Sequence, residues 1–252
     1  MTTLCIAAAQ SISIAGNLEA NIAWHQRFIQ VAAEQGVQLL VFPELSLTGY
    51  ERGCAAELAI APDAEVLQPL RDFAREAGVT AVVGMPIRPS EHSPVLIGAL
   101  VLGADGSLGV YSKQHLHSGE EVAFAPGVGG STLGIGGDTV ALAVCADFSH
   151  ASHAAAAAEQ GADVYAAGVL ITENGYAPDT ALLKGYASEH SMVVLMANHG
   201  GATGGWLSAG RSAIWAKGGA LIAAAPGTGN LMVIGRRTGG DWEGQVVTVP
   251  EY

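Results

Sequence analysis

Charge is scarce in this chain. Only 13% of its 252 residues are Asp, Glu, Lys or Arg, about half the share of an ordinary globular domain. Basic residues are the rarer kind, 11 against 23 acidic ones, which gives a formal net charge of −12. Gripping a phosphate backbone requires a basic face, so nucleic acid is not an expected partner. Cysteine is scarcer still. Cys5, Cys54 and Cys145 cannot all pair with one another, which argues against a secreted disulfide framework and for a reducing cytoplasm. No apolar run reaches the ~18 residues of a membrane span, and the Ala-rich stretch 154–158 is broken at once by Glu159, Gln160 and Gly161. The first ten residues have no basic region before their short apolar run, so a signal peptide is not expected. The expectation is a soluble protein.

What the chain has in quantity is apolar surface and glycine. Half of its residues are hydrophobic and 34 are glycine, a composition that folds rather than staying disordered. With so little charge, part of the surface is expected to be covered by a partner subunit. The length suits one large α/β domain or two small ones. With no charge run, Pro/Ser tract or composition break to mark a linker, a single domain over residues 1–252 is expected.

Strand and helix patterns alternate through the first half. Leu4–Gln10 reads as a strand, and Asn17–Gln35 as a helix capped by Asn17 and stopped at Gly36. Gln38–Phe42 reads as a buried strand cut off by Pro43. A second helix is expected near Ala64–Ala77, stopped by Gly78, leading into a strand at Val79–Gly84. Val95–Leu102 and Leu108–Ser112 flank an Asp105-Gly106 turn and read as a hairpin. Ser131–Ile135 and Thr139–Val144 form another around Gly136-Gly137. Helix His150–Gln160, strand Asp163–Gly168, helix Asp179–His190 and strand Met192–Ala197 follow. Three β runs close the pattern, at Ser212–Ala216, Ala220–Ala225 and Leu231–Arg236, and the tail Thr238–Tyr252 shows little order. The two halves share a strand–helix–strand order, so two mixed sheets packed face to face with helices outside are expected.

Three of the apolar strands end in an ionisable or reactive side chain: Glu44 after Leu39–Pro43, Lys113 after Gly109–Ser112, and Cys145 after Val140–Val144. Strand ends are where α/β folds collect their sites. Taken singly, Glu44 reads as a solvated loop acid, Cys145 as a small buried apolar residue and Lys113 as a surface lysine. Taken together they have a chemistry. A thiol attacks only as thiolate and needs a base or a positive neighbour near pH 7. Glu44 in a desolvated pocket can take that proton. Lys113 can donate to the oxyanion formed when sulfur attacks a carbonyl or nitrile carbon, with the Ala146 backbone N–H as a second donor.

Phe42-Pro43-Glu44-Leu45-Ser46-Leu47-Thr48-Gly49-Tyr50, Tyr111-Ser112-Lys113-Gln114-His115-Leu116 and Val144-Cys145-Ala146-Asp147 resemble the three signature blocks of the nitrilase-like carbon–nitrogen hydrolases. The 32-residue separation of Lys113 and Cys145 is similar to that of aliphatic amidases in the family. Ala9-Gln10, Phe124–Gly127, Ala197-Asn198 and Ser208–Ile214 extend the likeness over nearly the whole chain. The resemblance implies a four-layer αββα sandwich, a homodimer or larger assembly, and a Glu44–Lys113–Cys145 triad. It further implies a second glutamate eight residues after the lysine, where Glu121 stands, to hold the lysine and orient substrate. The implied reaction is hydrolysis of a C–N bond through a cysteine thioester, with no metal or organic cofactor.

Departures from the family pattern bear on substrate. After the cysteine, true nitrilases commonly carry Trp-Glu, whereas this chain has Ala146-Asp147, which favours amides or carbamoyl compounds over nitriles. The Arg-Phe-Pro-Glu run common soon after is missing, and with it a planar group that pairs with carboxylates. His117, Trp206 beside the Gly200–Gly205 stretch, and Tyr50 at the end of the first block join Ala146 and Asp147 as expected pocket or supporting residues. Other readings carry less weight. His115, His117, His150 and His153 cluster, with Glu120 or Glu121 near, but at no spacing specific to zinc. The glycine runs lack phosphate-loop signatures. Nitrile hydrolysis, or a catalytically silent binding protein on the same fold, are the alternatives to amide hydrolysis.

Overall fold

The computed structural model describes residues 3–250. The strands are β1 (Thr3–Gln10), β2 (Leu39–Val41), β3 (Thr80–Ile87), β4 (Leu96–Leu102), β5 (Leu108–Ser112), β6 (Leu133–Ile135), β7 (Asp138–Val144), β8 (Val164–Val169), β9 (Val193–Asn198), β10 (Ala202–Thr203), β11 (Trp206–Leu207), β12 (Ala213–Trp215), β13 (Leu221–Ala224), β14 (Leu231–Thr238) and β15 (Asp241–Thr248). The α-helices are α1 (Leu18–Glu34), α2 (Ala55–Leu58), α3 (Gln68–Ala77), α4 (Ala151–Glu159) and α5 (Glu173–Glu189).

Two large mixed sheets result. One has the order β15-β14-β1-β2-β3-β4-β5, the other β13-β12-β9-β8-β7-β6. In each, three central strands are parallel (β1, β2, β3 and β7, β8, β9) and the flanking pairs antiparallel. The period-2 alternation of strand side chains sorts the residues into layers. Leu4, Ile6 and Ala8 of β1 meet Val164 and Ala166 of β8 in the core between the sheets. Cys5, Ala7 and Ala9 of β1 point the other way, onto Phe28 and Ile29 of α1 and Leu70 of α3. Tyr165 and Ala167 likewise pack outward on Ala154 of α4 and Leu183 of α5. The result is the αββα sandwich.

The helix boundaries follow their caps. Asn17 accepts from Ala20 N–H at the start of α1, and Gly78, at φ 67°, ends α3 in the left-handed conformation that glycine adopts without strain. Two elements depart from the sequence expectation. Helix α5 begins at Glu173, six residues before Asp179, because Pro178 sits in its second turn and costs only one backbone hydrogen bond there. The tail contains β15, paired with β14 along its full length from Leu231–Thr248 to Thr238–Asp241. It is an edge strand with mostly exposed side chains, so it carries no apolar alternation to read.

Candidate active site

The segment 42–45 leaves β2 and passes between the sheets. Two glycines make room for it. A Cβ at Gly84 of β3 would meet Leu45 N at 2.4 Å, and one at Gly168 of β8 would meet Phe42 O at 2.5 Å. Glu44 is thereby clamped between the two sheets and almost fully buried. Its backbone carbonyl accepts from His199 Nε2 at 2.7 Å. Ser46 Oγ, in turn, is bonded to His25 Nε2 (2.9 Å) and Gly84 N (3.2 Å). The backbone is strained on both flanks of the site: Leu45 has φ 54° and Cys145 φ 42°, values uncommon for residues with a Cβ and concentrated at functional sites.

Lys113, fully buried just past the end of β5, joins two carboxylates. Its Nζ donates to Glu44 Oε1 at 2.6 Å and to Glu120 Oε1 and Oε2 at 2.8 and 2.7 Å. Glu120 also accepts from Tyr50 Oη (2.5 Å) and from His117 N–H (2.7 Å). The lysine's second carboxylate is therefore Glu120 and not Glu121, which corrects the sequence expectation. Residues 120–122 form one turn of 3-10 helix, so adjacent side chains diverge. Glu120 turns inward, while Glu121 is exposed and accepts from Gly119 N–H. The pair Glu120-Glu121 offered no periodicity to decide between them.

Cys145 follows β7 on a tight turn. Its thiol contacts Leu170 O at 3.8 Å, and it lines a cavity of about 250 Å³ together with Glu44, Tyr50, His117, Ala146 and Trp206. Glu44 Oε2, the oxygen not engaged by Lys113, has no hydrogen-bond partner among the described residues. The electrostatics match this geometry. Burial, with Glu120 adding to it, raises the Glu44 carboxyl well above its ordinary range despite Lys113. Burial works against charge on Lys113, but Glu44, Cys145 and Glu120 outweigh it and hold the ammonium above the ordinary lysine range. Burial and Glu44 push the Cys145 thiol up, so the resting pair is a neutral thiol beside a carboxyl poised to take its proton.

Asp147 does not line the cavity. It points away and ties the cysteine turn to the lysine loop. Oδ1 accepts from Gln114 N (3.0 Å), His115 N (2.9 Å) and His115 Nδ1 (3.1 Å), and Oδ2 from Tyr111 Oη (2.7 Å) and Val144 N (3.1 Å). The other histidines of the cluster serve the same region: His115 stacks on His150 at 3.9 Å, and His153 bridges the hydroxyls of Tyr111 and Tyr165. Among the described residues, no group of three or more His, Cys, Asp or Glu is arranged to hold a metal.

The far wall of the cavity, Leu170, Ile171, Thr172, Gly175 and Asp179, is absent from the sequence expectation. It follows the end of β8, so the strand-end rule applied to that strand would have found it.

The sequence profile of the carbon–nitrogen hydrolases matches residues 5–238. Over 151 residues the chain is 34% identical to a nitrilase of Pyrococcus abyssi (strain GE5 / Orsay), covering 58% of this chain and 57% of that protein. Over 171 residues it is 30% identical to an (R)-stereoselective amidase of Pseudomonas sp, covering 65% and 60%. The match thus spans less than two thirds of either relative's length. Among solved structures, a mutant of the amidase from Nesterenkonia sp. AN1 in complex with butyramide superposes with a TM-score of 0.83 at 26% identity, over 92% of this chain and 89% of that one. A second mutant of that amidase, with the same TM-score, identity and coverage, shows covalent addition of the acetamide moiety of fluoroacetamide at the active site cysteine.

Proposed function

This chain belongs to the carbon–nitrogen hydrolase family, and from that premise and the site geometry we propose that it hydrolyses small amides through a thioester on Cys145. The observation that carries the reading is the buried Glu44–Lys113–Glu120 chain, with Glu44 and Cys145 lining one cavity. The amidase of Nesterenkonia sp. AN1, one mutant of which is in complex with butyramide and another of which is modified at the active site cysteine, supports it.

Glu44 removes the thiol proton as sulfur bonds to the carbonyl carbon. The charge of Lys113, held in place by Glu44 and Glu120, stabilises the oxyanion, and the Ala146 N–H is its candidate donor. The C–N bond breaks as Glu44 returns the proton to nitrogen, and ammonia leaves a thioester. Water then gives a proton to Glu44 as its oxygen bonds to the same carbon. The C–S bond breaks, the proton passes to sulfur, and the acid departs. The balance is amide plus water to acid plus ammonia. A cavity near 250 Å³ suits short acyl chains and is small beside ordinary drug-sized sites.

A homodimer or larger assembly and a cytoplasmic setting belong to the same reading. Its supports are the low charge and the free state of Cys5, Cys54 and Cys145. Among the described residues no helix is long and apolar enough to cross a membrane. The test is ammonia release from a panel of aliphatic amides, N-carbamoyl amino acids and nitriles. Turnover of short amides is expected; turnover of nitriles alone, or of nothing in the panel, overturns the assignment.

A further inference from the structure

We propose that Asp179 makes this site selective for amides that carry a protonated amine away from the scissile carbonyl, an inference that rests on the amide-hydrolase reading and names its substrate class. Three carboxylates lie at or behind the cavity, and two are ion-paired: Glu44 and Glu120 share Lys113. Asp179 lines the cavity and makes no hydrogen bond or ion pair among the described residues. A half-buried carboxylate without a partner is a costly arrangement that a cationic ligand relieves.

The position of Asp179 is built into α5. Residues four apart lie on one helical face, and four residues before Asp179 stands Gly175, where a Cβ would come within 2.9 Å of Asp179 Oδ2. The missing side chain leaves the carboxylate space at the cavity wall. Burial raises the Asp179 pKa, with His117 acting in the opposite direction.

Other charges nearby are already committed. Glu173, at the start of α5, is paired with Arg211, which stacks on the Tyr176 ring at 3.9 Å. Arg52 leans on Tyr50 from a separate cleft. No arginine or lysine lines the cavity itself. An ammonium group on the substrate therefore meets Asp179, whereas a carboxylate there meets a like charge with only His117 to oppose it.

Three short amides test this: 3-aminopropanamide and butanamide, which are nearly isosteric and end in ammonium and methyl, and the larger succinamate, which ends in carboxylate. The expected order of kcat/KM is 3-aminopropanamide over butanamide by roughly five- to ten-fold, with succinamate below both. The preference should lie mainly in KM, because the ammonium is bound alike in ground and transition states. Asp179→Asn should bring the first two within about two-fold of each other, and Gly175→Ala, which displaces the carboxylate, should weaken the preference. Equal rates in the parent enzyme, or a preference unchanged by Asp179→Asn, overturn the proposal while leaving amide hydrolysis standing. If no amide turns over, calorimetric binding of the same compounds to Cys145→Ala decides selectivity separately: tighter binding of 3-aminopropanamide that Asp179→Asn abolishes supports it, and equal affinities overturn it.

Discussion

Both carboxylate oxygens of Glu120 lie within hydrogen-bond distance of Lys113 Nζ, at 2.8 and 2.7 Å, on the side away from the cavity. The lysine is therefore fixed before any substrate arrives. Its charge is shared between a carboxylate that faces the cysteine and one that does not. This separates the two neighbouring glutamates functionally. Glu120→Gln is expected to lower kcat by on the order of 10²-fold or more, and Glu120→Ala to cost roughly 3–5 kcal/mol of stability by breaking a buried charge network. Glu121→Gln, at an exposed position, should leave stability within about 0.5 kcal/mol and kcat near the parent value. Steady-state kinetics and urea unfolding of the three variants check this.

Activity should depend on pH through Glu44. Its carboxyl is raised by burial to about 7, and the base form is the deprotonated one, so kcat/KM should climb through a limb centred near pH 7. Glu120 contributes to that upward shift. Removing its charge in Glu120→Gln should thus move the limb to lower pH, a change that a purely structural role for Glu120 would not produce. A pH–rate profile of both enzymes reads the shift directly.

Asp147 holds five donors from two segments of chain, residues 111–115 and Val144, and an apolar replacement leaves them without an acceptor. Asp147→Ala should destabilise the fold by roughly 3–5 kcal/mol and depress kcat by loosening the cysteine turn against the lysine loop. Chemical denaturation and kinetics measure the two effects together.

Stability should fall in mild acid. His25 and His199 are buried, and desolvation lowers their pKa to about 3 and about 4, below the ~6.5 of an unfolded histidine. The unfolded chain binds these protons first, so stability is complete above pH ~6.5 and is lost as pH falls towards the folded values. The slope is on the order of 1 kcal/mol per histidine per pH unit. Urea midpoints measured from pH 7 to pH 5 should decline accordingly.

The sandwich was legible wherever strands were buried on both faces, as in β1 and β8, where every residue past the first of β1 is buried. Edge strand β15 was not, because one exposed partner imposes no pattern. In the site, Glu44, Lys113 and Cys145 stood out because each ends an apolar strand. The choice between Glu120 and Glu121 depends on the sense of a single 3-10 turn, which adjacent identical side chains do not encode. The wall from Leu170 to Asp179 follows β8, whose end is succeeded by Leu170, Ile171 and Thr172, none of them ionisable, so it carried no chemical signal.

The most direct test is intact-protein and peptide mass spectrometry on enzyme quenched with acid during turnover of a short amide. An acyl group should be found on the peptide containing Cys145. Cys145→Ala should carry no adduct, retain its fold by circular dichroism, and turn over below about 10⁻⁴ of the parent rate. Amide hydrolysis that survives in Cys145→Ala, or an acyl group on another residue, would contradict the account.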